Sequence, residues 1–240
     1  MEKLLDLQNI TKYFGKQLVL KNINFDLSTG QIIGLIGPSG AGKSTMIKTM
    51  LGMEKADEGL ALVLNHHMPN RHILGQIGYM AQSDALYEKL TGLENLTFFA
   101  TMKGIKKKDI TDSIQHIAQV VDLSKDLHKS VSNYSGGMKR RLSLAIALIG
   151  NPKLLILDEP TVGIDPALRR KIWQELTHLK NSGMGILITT HVMDEAELTD
   201  KVGLLLNGQI MAFGSPKNLK TRYAVSSIED VFLKAEGELL

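Results

Sequence analysis

Gly37-Pro38-Ser39-Gly40-Ala41-Gly42-Lys43-Ser44 is the stretch on which the reading of this chain turns. It fits the pattern G-x-x-x-x-G-K-[ST] and stands in the context that pattern requires. Gln31-Ile32-Ile33-Gly34-Leu35-Ile36 precedes it and reads as a buried strand bounded by glycines. Beyond it, the spacing predicts a helix over residues 43–51. The glycines let backbone N–H groups wrap an anion, and the helix N-terminus adds positive dipole. Lys43 supplies a point charge to the outer phosphates of a nucleotide, and Ser44 supplies a hydroxyl to Mg²⁺.

A second stretch, Leu154-Leu155-Ile156-Leu157-Asp158-Glu159-Pro160, is an apolar strand ending in an acidic pair. Open parallel sheets bind ligands at the C-terminal ends of their strands, which is where these carboxylates fall. Asp158 can hold Mg²⁺ directly or through water. Glu159 is left to orient or deprotonate an attacking water. His191 follows Leu187-Ile188-Thr189-Thr190, another strand end, and is either structural or within reach of a terminal phosphate. Gln82 ends the strand Gly78-Tyr79-Met80-Ala81 and is a candidate ligand for water or Mg²⁺. Ser135-Gly136-Gly137 opens a helix over residues 136–149. Serine is a good helix cap, but two glycines after it weaken the helix by up to ~1 kcal/mol each. They make sense if something must approach the backbone closely. The second helix N-terminus therefore reads as a site for an anion brought by another molecule.

Around these stretches, strands and helices alternate. Strand-like segments occupy residues 4–10, 18–20, 23–27, 60–64 and 76–80. From residue 83 to 150 the periodicity turns helical, with Leu93, Leu96 and Phe99, then Ile110, Ile114, Ile117 and Val121 on helical spacing. A helix over residues 166–180 begins with Pro at its first turn. Strand 185–190, a short helix over residues 193–198 and a hairpin around Asn207-Gly208 follow. Lys106-Lys107-Lys108 reads as a solvated helix start, with a phosphate or lipid contact as the alternative.

The chain has 240 residues, 43% of them hydrophobic and 22% charged, which suits one large domain or one domain with an insert. A net charge of 28 − 25 = +3 is too small for an electrostatic DNA clamp. Aromatic content of 5% argues against a base-stacking platform. There is no cysteine, so disulfides, thiolate zinc sites and cysteine nucleophiles are excluded, and the composition suits the cytosol. The first residues lack a signal-peptide pattern, and no apolar run is long enough to span a bilayer. A role at a membrane would need another chain to do the spanning. No Asn-Lys-x-Asp guanine-reading motif is present, which disfavours a GTPase.

Taken in order, these motifs resemble those of the ATP-binding cassette (ABC) ATPases, the motor subunits of ABC transporters. Residues 37–45, ending in Thr45, look like Walker A, and Gln82 like the Q-loop glutamine. Tyr134-Ser135-Gly136-Gly137-Met138 looks like the signature, where the family usually has Leu-Ser-Gly-Gly-Gln. Asp158 and Glu159 resemble Walker B and its catalytic glutamate, and His191 the switch histidine. Asp165 resembles the D-loop aspartate, in Gly163-Ile164-Asp165 where the family usually has Ala-Leu-Asp. Phe14 before Gly15 is similar to the adenine-stacking aromatic, with Tyr13 as the alternative. With Met138-Lys139-Arg140-Arg141-Leu142 and the tail around Ser227-Ile228-Glu229-Asp230-Val231-Phe232-Leu233, the two departures resemble the daunorubicin-resistance type of exporter ATPase.

The resemblance implies an α/β fold: a P-loop NTPase core with an N-terminal antiparallel β subdomain and an inserted α-helical subdomain. The expected division is residues 1–82 and 151–222 as core, 83–150 as insert and 223–240 as a short C-terminal helix or tail. It implies ATP and Mg²⁺ as ligands, with Ser44, Gln82 and Asp158 toward the metal. Lys43, Gln82, Glu159 and His191 are the expected catalytic set. Phe14, residues 37–45, Ser135, Gly136, Gly137 and Asp165 are the expected nucleotide-contacting set. It also implies a head-to-tail dimer with a second such ATPase subunit, in which each ATP lies between one chain's Walker A and the other's signature. A transmembrane permease is the expected partner. The location would be the cytoplasmic face of the membrane, and residues 84–91 are the candidate contact, with Leu86 and Tyr87 read either as that contact or as apolar side chains of the local core. A non-transport cassette ATPase acting on nucleic acid or ribosomes is the alternative, disfavoured by the single cassette and the lack of a heptad run. A regulatory ATP-binding dimer without turnover is disfavoured by Glu159.

Overall fold

The computed structural model describes residues 2–83 and 85–237. The strands begin with β1 (Lys3–Phe14), β2 (Gln17–Ser28), β3 (Ile32–Ile36), β4 (Glu58–Val63) and β5 (His66–His67). They continue with β6 (Ile77–Met80), β7 (Leu154–Asp158), β8 (Gly185–Thr189), β9 (Lys201–Leu206) and β10 (Gln209–Gly214). The helices are α1 (Lys43–Met50), α2 (Gly92–Met102), α3 (Lys107–Val120), α4 (Gly136–Leu148), α5 (Pro166–Asn181), α6 (Met193–Glu197), α7 (Pro216–Tyr223) and α8 (Ile228–Gly237). The chain divides into two units, Met1–Ile73 with Gly185–Leu240, and Leu74–Met184.

In the first unit, β2, β1, β4 and β5 form an antiparallel sheet in that order. Two long strands, each of 12 residues, stand where the apolar pattern suggests short segments. Register shifts between Leu7 and Ile10 account for the difference. Asn9 and Asn22 adopt positive φ (54° and 50°), so bulges interrupt the in–out alternation while the pairing continues. Leu5, Leu7, Ile10, Leu20, Ile23, Phe25 and Leu27 remain buried.

The same unit holds β3 between two parallel neighbours, β8 and β9, with β10 antiparallel on β9. Every residue of β3 and β8 is buried, which explains their unbroken apolar runs. The β9–β10 turn is the expected hairpin: Asn207 and Gly208 both have positive φ (47° and 74°), as a tight two-residue turn demands. Leu219 of α7 and Ile228, Val231 and Ala235 of α8 pack on Val202, Leu204, Leu206 and Ala212. Helix α7 is not evident in the apolar pattern, because Leu219 is its one buried residue. Its local signal is the Ser215-Pro216 start, where Ser215 accepts from the Asn218 N–H.

In the second unit, β6 and β7 pair in parallel. The region read as helical contains α2, α3 and α4. Helix α2 opens with a reciprocal capping box between Thr91 and Glu94. Helix α4 buries Leu142, Leu144, Ala145, Ala147 and Leu148. It runs close to β6, since a Cβ on Gly78 would lie 2.3 Å from the Ala147 carbonyl oxygen. The end of α4 is closed by Lys103, whose Nζ donates to the carbonyls of Ile146 (2.9 Å), Ala147 (3.1 Å) and Ile149 (2.9 Å). Those carbonyls would otherwise lack helical partners. Burial pushes the Lys103 ammonium down to about 8. Lys106, Lys107 and Lys108 are exposed at the start of α3. Among the described residues, no helix is long and apolar enough to cross a membrane.

Candidate active site

The first unit carries the phosphate loop. Beyond Ile36 the chain turns through residues 37–42 and enters α1 at Lys43. A side chain on Gly37 would put its Cβ 2.2 Å from the Leu205 carbonyl oxygen. Gly42, at φ 106°, would meet the Leu20 side chain at 2.8 Å and the Val19 carbonyl at 3.1 Å. Both positions therefore require glycine. No side chain caps the first turn of α1, which leaves its N–H groups directed at whatever the loop holds. Lys43 is buried, and its Nζ donates to the carbonyls of Gly37 (2.6 Å) and Pro38 (3.0 Å). The ammonium thus sits within the loop it is expected to serve. Ser44 is exposed and Thr45 half-buried. The β9–β10 turn braces the loop from outside, with the Gly208 N–H donating to the Ala41 carbonyl (3.1 Å).

His191 lies at the same edge as this loop. Leu35 of β3 pairs with Thr189 of β8, and two residues further along the two strands stand Gly37 and His191. The His191 turn is held by buried Thr190, whose hydroxyl donates to Glu195 (2.7 Å) and accepts from the Val192 N–H (3.0 Å). Phe14 ends β1 and is 45% exposed, with the Lys12 Nζ 5.3 Å from its ring. Tyr13 is also exposed. Phe14 pairs with Gln17 across the β1–β2 turn, and Val19 and Leu20 on that strand abut Gly42.

The second unit carries the acidic half. Met80 pairs with Leu157, and two residues beyond them stand Gln82 and Glu159, so the parallel register brings both to one edge. Asp158 is buried, Glu159 is half-buried and Gln82 is exposed. Burial, and then the Asp158 carboxylate, hold the Tyr79 hydroxyl above the ordinary tyrosine pKa. Glu159 has φ 53°, a left-handed backbone that non-glycine residues seldom adopt.

Ser135 caps α4, accepting from the Met138 N–H (3.2 Å). Gly136 and Gly137 have no positive φ, and a Cβ on either would meet nothing closer than 3.6 Å, the Gly163 carbonyl oxygen. The fold of this chain therefore does not require glycine at either place. Asp165 caps α5, accepting from the N–H groups of Ala167 (3.1 Å) and Leu168 (3.0 Å). Of the expected permease contact, Asp84 lies outside the described residues. Tyr87 is exposed, packed edge-on against Phe98 at 5.0 Å.

The phosphate loop of the first unit fits the phosphates of a nucleotide. The loop is a glycine cradle that side chains would fill. Among the described residues there is no cluster of three or more His, Cys, Asp or Glu able to hold a metal by itself. Sequence reasoning missed Arg140 as a link. Its guanidinium donates to the carbonyls of Ala81 (2.8 Å), Gln82 (3.1 Å), Asp158 and Glu159 (2.7 Å). The available signal was helical spacing, because Arg140 is four residues from both Gly136 and the apolar Leu144 and so shares their face.

The fold and the loop define a P-loop nucleotide-binding protein. Comparison with known proteins narrows this. The ABC transporter family profile matches residues 20–162, and the chain belongs to that family. It is 40% identical over 235 residues to ABC transporter G family member 23 of Dictyostelium discoideum, covering 96% of this chain and 33% of the relative. It is 36% identical to the probable multidrug ABC transporter ATP-binding protein YbhF of Escherichia coli (strain K12), covering 93% of this chain and 39% of that protein. The chain thus spans well under half the length of these relatives. Among solved structures, an ATP binding subunit of an ABC transporter superposes with a TM-score of 0.92 at 26% identity, covering 97% of this chain and 99% of that one. A dimeric post-hydrolysis state of the ATP-binding cassette MJ0796, bound to ADP and Pi, superposes with a TM-score of 0.80 at 26% identity, covering 88% of this chain and 98% of that one.

Proposed function

We propose that this chain binds MgATP, hydrolyses it to ADP and phosphate as half of a head-to-tail dimer, and drives export through a separate transmembrane permease. The observation that carries this reading is the phosphate loop, with Lys43 buried inside it and an uncapped helix behind it. In this reading the loop N–H groups and Lys43 bind the phosphates, and Phe14 stacks on the base. Ser44, Asp158 and Gln82 hold Mg²⁺, which when bound neutralises charge on the transferred phosphoryl group. Glu159 accepts the proton of the attacking water, and His191 donates to the terminal phosphate. Ser135, Gly136 and Gly137 serve the ATP of the second subunit, with Asp165 beside that junction. The second subunit is a copy of this chain.

Residues 83–150 act as an arm that meets the permease around Leu86 and Tyr87. Residues 1–82 and 151–222 form the ATP-binding body, and 223–240 a tail. The chain is held at the cytoplasmic face of the membrane by that partner. The naming of the relatives as transporters supports this reading, and the nucleic-acid alternative is not favoured.

The test is Glu159→Gln. Glutamine keeps the shape but is a far poorer proton acceptor, and general-base assistance is worth ~10²–10⁴ in rate. Phosphate release should nearly vanish while ATP still binds, and sizing chromatography with MgATP should show a persistent dimer. Turnover within threefold of wild type overturns the assignment of Glu159 as base.

A further inference from the structure

We propose that Arg140 is the positioning residue of the catalytic edge: one guanidinium fixes the backbone at Gln82 and at Glu159 together and ties both to the signature helix α4. This rests on reading Glu159 as the base and Gln82 as a ligand of water or metal. Arg140 is 8% exposed and donates to four backbone carbonyls. Nη1 donates to the carbonyls of Ala81 (2.8 Å) and Gln82 (3.1 Å) at the end of β6. Nη2 donates to the carbonyls of Asp158 and Glu159 (2.7 Å) at the end of β7. Two neighbouring strand ends thus share one cation.

The geometry at Glu159 explains why such a clamp is needed. Successive carbonyls of an extended strand point to opposite sides. The left-handed turn at Glu159, φ 53°, brings the Asp158 and Glu159 carbonyls onto the same Nη2. That conformation is strained for a residue with a side chain. Charge-assisted bonds to both flanking carbonyls are the kind of interaction that holds it. The direction in which the Glu159 carboxylate leaves the backbone follows from that turn. Arg140 therefore sets the aim of the base through the backbone on either side of it.

Arginine suits this task and lysine does not. The guanidinium presents two NH₂ groups side by side in a rigid plane, which matches two pairs of carbonyls. A lysine ammonium is a compact point charge with three donors, so it cannot serve all four oxygens. Arg140 also lies on the helix that begins with Ser135, Gly136 and Gly137. A shift of α4 is thereby transmitted to the backbone of Gln82 and Glu159 within one chain.

The test uses the full chain with Arg140→Lys, which keeps the charge, and Arg140→Met as a second variant. Glu159→Gln is run beside them. Nucleotide stoichiometry and affinity are measured first, since the phosphate loop does the binding. We expect Arg140→Lys to lower kcat at least tenfold, with KM for ATP and ADP affinity within twofold of wild type. Hydrogen exchange read by mass spectrometry should quicken together in peptides covering Gln82 and Glu159. Arg140→Met should show the same split more strongly. A kcat within twofold of wild type in Arg140→Lys overturns the proposal. So does a loss matched by an equal fall in nucleotide-binding stoichiometry, which would mean only that less protein is folded. Inactive Glu159→Gln beside fully active Arg140→Lys sinks the clamp alone. Active Glu159→Gln sinks the reading of the base, and the paired exchange at Gln82 and Glu159 then decides the clamp by itself.

Discussion

Replacing Gly136 and Gly137 with alanine should make the protein more stable and less active. Both residues occupy the first turn of α4 with no positive φ. A methyl on Gly136 meets nothing within 4 Å, and one on Gly137 meets the Gly163 carbonyl oxygen at an unstrained 3.6 Å. Where alanine fits without strain, exchange from glycine stabilises by about 0.4–1 kcal/mol, chiefly by restricting the unfolded chain. The pair should therefore contribute about 1–2 kcal/mol. For a chain of this size that raises the melting temperature by roughly 2–8 °C. Activity should move the other way. In the proposed dimer, a methyl in front of these backbone N–H groups keeps a second subunit's phosphate from reaching them. One lost charge-assisted bond corresponds to about 1.5–3 kcal/mol, roughly a 10- to 150-fold loss of turnover. Scanning calorimetry and a phosphate-release assay on one preparation give both numbers. A stabilised double variant with full turnover would falsify the idea that an outside anion approaches this helix. A destabilised one would contradict the open geometry around it.

Asp165→Ala should destabilise by about 1 kcal/mol because α5 loses its cap, whereas Asp165→Asn should keep the fold. If Asp165→Asn also keeps full turnover, as measured by phosphate release, Asp165 is a cap and nothing more. Lys43→Ala should weaken ATP binding by about 1.5–3 kcal/mol, one to two decades by calorimetric titration, and unchanged affinity would remove the phosphate loop from the site. Lys103 gives a pH signature. Its folded pKa of about 8 lies below the ordinary 10.5, so between these values the unfolded chain binds more protons and stability rises with pH. The wild type should gain about 3 kcal/mol relative to Lys103→Met between pH 8 and 10.5, read from denaturant unfolding at the two ends. An unchanged difference would mean that burial does not perturb Lys103.

Local chemistry made much of this molecule legible in its sequence. The phosphate loop, the acidic end of β7, the Ser135 cap and the Asn207-Gly208 turn all depend on neighbours within a few residues, and each stands where the pattern places it. The parallel strands were legible because burial on both faces leaves an unbroken apolar run. Bulged pairing obscured the full length of β1 and β2, since Asn9 and Asn22 break the alternation that marks a strand. Helix α7 was hidden by its single buried residue. The Arg140 contacts were out of reach for another reason. They join residues 18–59 positions apart through backbone carbonyls, which carry no residue-specific signal. The Lys103 closure of α4 is of the same kind, across 43–46 positions.

The central claim is that each ATP is served by the phosphate loop of one subunit and the signature of the other, and a mixing experiment addresses it most directly. Lys43→Ala disables the first half of a site. Gly137→Asp places a carboxylate where a phosphate must approach, so like charge opposes binding. Each variant is first shown to be folded and inactive, and wild-type subunits are shown to exchange. In a mixed dimer with shared sites, both lesions fall in one site and the other is intact. Random exchange makes half of the dimers mixed, so up to about a quarter of wild-type phosphate release should return under two-fold pairing. Coupling between the two sites lowers that figure without changing its sign. Restored turnover on mixing is the predicted result, and no restoration despite confirmed exchange would contradict the shared site.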